Sequence, residues 1–320
     1  MCPVAARRKG MKSRLLVAFA SLAIVAVGVE TACSIETTDS GAPPVSVGDA
    51  GASNDAGSDG RVDEVDGATA DAAPTWTPKN LTSLALWLDA DKGVTAAANK
   101  VSAWADQSGS GQDATTNVDD AGFTCNPPAL SKAAVKGHDV LHFSGESANE
   151  CLTNRAASAL AFGGADFLVE LVVRQEGGGM FEGQMWLQTG ASNGSQTIMY
   201  GAADNPEIDI FTQMQQTDAV TFSRASSTNK YVPGGFHVVG TRRRGDNLEV
   251  RVDGVATPGE EAQLGMLPFP APQAFTIGHA TPADFNARML GDIAEIVVVK
   301  APSEADIASL EGYFKAKFGL

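Results

Sequence analysis

The sequence predicts an all-β protein, a two-sheet antiparallel sandwich with a short C-terminal helix. Three observations predict it. Apolar residues alternate with period two in separate stretches between positions 84 and 299, the pattern of strands with one face in a core. Turns rich in glycine separate them, from a total of 34 glycines in 320 residues. Only the C-terminus carries the 3.6-residue stripe of a helix. Many short strands with one helix bury their apolar faces best as two packed layers.

The strands follow in order. Leu84, Leu86 and Leu88 share one face, with Trp87 on the other. Phe167, Val169, Leu171 and Val173 alternate with Leu168, Glu170, Val172 and Arg174. Phe236 and Val238 lead into Thr241, and Leu248, Val250 and Val252 oppose Glu249, Arg251 and Asp253. Asp253-Gly254 supplies a primed hairpin turn. Residues Ile293 to Val299 are apolar on both faces except at Glu295, as a central strand should be. The helix opens after Pro302 with Ser303 and Asp306 at capping-box spacing. Ile307, Leu310, Phe314 and Phe318 form its buried stripe, Glu311 and Lys315 are spaced for a surface pair, and Gly319 ends it.

Composition divides the chain into three parts. Residues 1–33 carry a net charge of +4, and Leu15 to Val29 is a 15-residue run without charge. A spanning helix needs about 20 apolar residues, so this run fits a secretory signal better. Met11, just ahead of Lys12 and Arg14, opens a compact signal and is the expected start. Residues 34–76 carry nine acids and one Arg61, with Ala, Gly, Ser, Asp and Pro dominating. Such a segment cannot bury enough apolar surface to offset its ordering entropy and is expected to be an extended, disordered tether. The spacing of acids in it is too irregular for a calcium loop. Residues 77–320 form the folded domain.

The formal charge is −15, from 38 acids against 23 bases. That excludes nucleic-acid binding through a basic face, because phosphate affinity comes from Lys and Arg. Among 4 histidines, His138 and His142 have the spacing of a helical zinc pair, but on a strand they stand about 13 Å apart. Cys125 and Cys151 are the only cysteines beyond the signal region. In an oxidising compartment they are expected to form a disulfide; the other reading is two buried thiols. The acids Asp106, Asp113, Asp119, Asp120 and Asp204 fall in loops that could hold one structural calcium, with solvated loop acids as the default. No other cofactor is expected. A sugar site needs an aromatic platform beside hydrogen-bonding groups, and Trp186, Gln188 and Tyr200 are the candidates. Trp186 could equally belong to the core. The Arg244-Gly245-Asp246 tripeptide is read as a hairpin turn.

Several stretches resemble known families. Thr31-Ala32-Cys33-Ser34 resembles a bacterial lipobox, which implies lipidation of Cys33 and outer-membrane or surface placement. Glu30 departs from that pattern, and the alternative is ordinary cleavage near Ala32 with secretion or periplasmic release. LALWLDADKGVT, VSAWADQSGSGQDAT and HDVLHFSG resemble the opening of bacterial laminin G-like domains of the concanavalin A-like jelly-roll superfamily. GFHVVGTRRRGDNLEVRVDGV and the closing GDIAEIVVVKAPSEADIASLEGYFKAKFGL are similar to that family's late hairpin, last strand and terminal helix. The resemblance implies a jelly roll over 82–320, in a superfamily of lectins, adhesion modules and glycosidases. Glu207 and Asp209, in the run from Glu207 to Thr212, resemble the active strand of glycoside hydrolase family 16. Where that family has its proton donor, this chain has Phe211 or Thr212, and retaining hydrolysis needs two carboxyls. The expectation is therefore a non-catalytic module binding glycan or protein at the cell envelope. A divergent glycosidase and a purely structural surface module are the alternatives.

Overall fold

The structure is a computed structural model. It describes residues 76–117, 124–145, 149–155, 160–176, 186–189, 198–202, 210–215, 222–226, 234–258, 274–279 and 288–320. All of these fall in one unit, Gly67–Leu320. A 3-10 turn, Pro78–Asn80, precedes β1 (Leu84–Asp89), β2 (Val94–Ala97), β3 (Lys100–Trp104) and β4 (Ala114–Thr115). Then come β5 (Ala129–Val135), β6 (His138–Ser144), β7 (Leu152–Asn154), β8 (Phe167–Gln175) and β9 (Leu187–Thr189). β10 (Ile198–Ala202), β11 (Ile210–Gln215), β12 (Phe222–Ser226) and β13 (Phe236–Arg244) follow. β14 (Asn247–Val252), β15 (Val255–Pro258), β16 (Phe275–Ile277) and β17 (Leu290–Lys300) lead to α1 (Glu304–Phe318).

Antiparallel pairing joins the strands into one curled sheet with two halves. The first half runs β15-β14-β13-β8-β17. β1 and β6 follow one another along the far edge of β17, with β5 beyond β6. The second half runs β2-β3-β4-β7-β16-β9-β10-β11-β12. A single pair, Lys100 opposite Ala129, bridges β3 to β5. β17 is the central strand that its apolar run predicts, hydrogen-bonded on both sides.

Alternation sorts the side chains into two cores. Leu86, Leu88, Trp104, Phe143, Phe167, Val169, Leu171, Val173 and Ile277 pack on the inner face. Trp87, Leu168, Val172, Val238 and Val297 lie on the outer face of the first half, under Ile307, Leu310, Tyr313, Phe314 and Phe318 of α1. The capping box forms, with Asp306 N donating to Ser303 Oγ and Ser303 N donating to Asp306 Oδ2. Asp253 and Gly254 both have positive φ, 51° and 85°, as a primed hairpin turn requires.

Two local expectations need correction. A register shift between Leu84 and Leu86 turns Leu84 outward to the helix side, so it does not share a face with Leu86 and Leu88. Glu311 pairs with Arg251 of β14 at 2.6 Å, because the sheet below offers a guanidinium where an isolated helix would offer Lys315. Cys125 and Cys151 form the disulfide.

Candidate functional site

Register fixes which residues share a face, because directly opposed residues on antiparallel strands project to the same side. In the second half, Leu187 opposes Ile277 and Tyr200, and both Leu187 and Ile277 lie in the inner core. The next row therefore belongs to the outer face. It reads Ala103, Thr115, Thr153, Thr276 and Gln188, one residue from each of five strands, and the backbone register continues unbroken through positions 199, 213 and 224. Thr153, Thr276 and Gln188 are only 2%, 5% and 5% exposed, so hydroxyls and an amide occupy a nearly dry line at its centre. Thr153 Oγ1 donates to the carbonyl of Phe275 at 2.8 Å.

The three residues predicted for a sugar site are divided by this register. Gln188 is in the outer row. Trp186 is fully buried in the inner core, next to Leu187, which fits its core reading. Tyr200 occupies a register position on the core face, opposite Leu187 and Thr212. Thr115, Thr153 and Thr276 were not singled out as binding residues. Counting strand parity outward from Leu187 is the signal that finds them. Cys33, Asp119, Asp120, Asp204, Glu207 and Asp209 lie outside the described residues.

The remaining predicted polar residues have structural partners. Asp106 accepts four hydrogen bonds, from the Trp87, Ser108 and Gln112 amides and the Ser108 hydroxyl. Asp113 accepts from Asp106 N at 2.8 Å, so these two carboxylates stitch their loop. His138 and His142 stand on β6, as strand residues, and pair separately with Asp91 at 2.7 Å and Asp292 at 2.8 Å. His142, Glu176 and Asp292 bring ligand atoms within 4.8 Å of one another. Arg174 already supplies the cation there, with Nε 2.6 Å from Asp292 and its guanidinium also on Glu176 at 2.6 Å. A metal ion would have to displace it. Arg244, Gly245 and Asp246 form an exposed hairpin end, with Gly245 N donating to Asp166.

No protein-family model matches the chain, and no curated protein matches it. Among solved structures, it is similar to domain 4 of AbnA, a GH43 extracellular arabinanase from Geobacillus stearothermophilus, solved in complex with arabinotriose. The TM-score is 0.53 at 13% identity, covering 72% of this chain and 98% of that domain. A mutant GH54 α-L-arabinofuranosidase matches with a TM-score of 0.50 at 15% identity, over 68% of this chain and 51% of that one. The receptor binding domain of a botulinum neurotoxin mosaic serotype C/D matches with a TM-score of 0.50 at 12% identity, over 74% and 51% respectively. The chain thus spans nearly all of the first and about half of the other two. At such identities the likeness is one of fold: an antiparallel β-sandwich, with one short C-terminal helix in this chain.

Proposed function

We propose that residues 77–320 are a non-catalytic, laminin G-like module that binds an uncharged glycan on the outer face of the second half of the sheet. The observation that carries this is the polar row Thr115, Thr153, Thr276 and Gln188, in register across β4, β7, β16 and β9, half-buried at Thr115 and nearly dry at the other three. Hydroxyls and amides exchange hydrogen bonds with sugar hydroxyls. A formal charge of −15 disfavours anionic sugars. The β-sandwich solved with arabinotriose supports a glycan as the ligand class. In this reading the signal exports the chain, a lipid on Cys33 anchors it, and the 34–76 tether holds the module off the membrane. Any structural calcium would draw on loop acids other than Asp106 and Asp113, whose carboxylates accept hydrogen bonds within their own loop.

The test is calorimetry and array binding of the intact chain against neutral oligosaccharides, with reducing ends assayed in parallel. Binding without release is expected, weakened about tenfold by Thr115→Val and by Thr276→Val, each removing one hydroxyl contact. Affinity retained in both variants would move the site elsewhere. Steady release of reducing ends, abolished in Glu207→Gln, would make the protein a hydrolase. In the same cells Cys33→Ala is expected to leave the membrane fraction, and its continued sedimentation with membranes would remove the anchor.

A further inference from the structure

Helix α1 covers apolar strand residues, but acids lie beneath it too. Near its C-terminal end, Lys317 Nζ is 2.8 Å from Asp89, 2.8 Å from Glu295 and 3.4 Å from Asp91. Lys92 reaches Asp89 at 3.3 Å, and His138 holds Asp91 at 2.7 Å. Glu295, wholly buried on β17, also accepts from Trp87 Nε1 and, at 3.4 Å, from Tyr313 Oη. Three carboxylates there have cations and donors around them.

Under the first half of the helix the balance differs. Arg242 is committed to Glu304 and Glu249, Arg244 to Glu304, and Arg251 to Glu311 and Glu249. Glu170 of β8 shares the outer face with Leu168 and Val172, is 0% exposed, and neither of its oxygens has a hydrogen-bond partner. A Cβ at position 240 would lie 2.9 Å from Glu170 Cγ, so Gly240 leaves the room this side chain occupies. An ionised carboxylate in that place would be desolvated, without a donor, and exposed to the field of Glu311.

We propose that α1 is a clasp that alkaline conditions release: it stays on the sheet while the Glu170 carboxyl beneath it is neutral, and lifts when that group must ionise. Burial, with Glu311 adding to it and Arg251 opposing, pushes Glu170 up to about 8. Burial also pushes Glu295 up to about 7, against the pull of Lys317. Lys317 would be lowered by burial, but Glu295 and Asp89 outweigh this and keep it a cation throughout. Asp91 is raised by burial, but the Asp139 amide, His138 and Lys317 outweigh that and hold it ionised. Glu249, Glu304, Glu311, Arg242, Arg244, Arg251, Lys92 and Lys315 complete the charges facing this layer. Once the helix lifts, water returns Glu170 and Glu295 to about 4.3, the ordinary value. Docking therefore takes up protons, and its equilibrium weakens as pH rises from about 4.3 through 8, by up to about tenfold per pH unit for each carboxyl. Release bares Leu168, Val172, Val238 and Val297.

The experiment is amide hydrogen exchange of the intact chain at pH 6 and pH 8, corrected for the intrinsic rate. Protection of peptides spanning 303–320 is expected to lie well below that of β8 and β17 at both pH values and to fall about tenfold or more between them. Glu170→Gln, which is neutral at every pH, should lose most of that fall. Helix protection that ignores pH, that falls equally in Glu170→Gln, or that equals the sheet's at both pH values would overturn the clasp.

Discussion

Asp292 shows how a buried carboxylate is partnered. It is 1% exposed on β17, and Arg174 from the neighbouring strand and His142 from β6 close on its two oxygens. Removing one partner from a buried pair leaves the other charge uncompensated, which typically costs about 3 kcal/mol or more. Arg174→Met removes the guanidinium that stands over the Phe236 ring and on Asp292, and should lower stability by about 3 kcal/mol. That appears as a lower urea midpoint with an unchanged slope. Residue identity alone could not disclose this triangle, because its members lie 32 to 150 positions apart and meet only through β17 pairing with both β6 and β8. The same limit governs the binding candidates. The sequence marks Trp186 and Tyr200 as aromatics next to polar residues, but only the register of β9 against β16 shows which parity faces the core.

Elements were far more legible than sites. Four residues of alternation, as in Phe167 to Val173, determine a strand and its buried face without knowing its neighbours. The helix is equally self-declaring, since capping box and stripe are local chemistry. Legibility ends where neighbours intervene, at the bulge that turns Leu84 outward and at the guanidinium that draws Glu311 away from Lys315. The disulfide falls between these cases. Cys125 precedes β5 on the first half, Cys151 precedes β7 on the second, and the link ties the two where the chain crosses between them. Its 26-residue separation implies about 3 kcal/mol through restriction of the unfolded chain. Replacing both cysteines by serine should cost that amount in a urea titration, and reductant should then have no further effect.

For the whole molecule, the buried acids set the direction of pH dependence. Glu170 and Glu295 have folded values raised to about 8 and about 7, so the native state holds more protons than the unfolded chain between about 4.3 and 8. Stability from these groups is complete below that interval and is lost as pH rises through it. Asp91 and Asp253 work on the other flank. Burial raises each, but backbone amides and histidines outweigh it, and the stability they contribute is lost only as pH falls below the ordinary carboxylate range. The growing negative charge of a chain that is already at −15 adds repulsion in the alkaline direction. The unfolding free energy should therefore be greatest near pH 5 and decline towards pH 8, with a slope on the order of 1 kcal/mol per pH unit. Urea titrations at pH 5, 6.5 and 8 measure it directly, and a flat or rising profile would contradict the protonation assigned to Glu170. In Glu170→Gln the slope should become shallower but not vanish, because Glu295 still takes up its proton. Comparison with hydrogen exchange separates local from global coupling: a sloping urea profile with an unmoving helix would mean that these protons stabilise the sandwich as a whole without working α1.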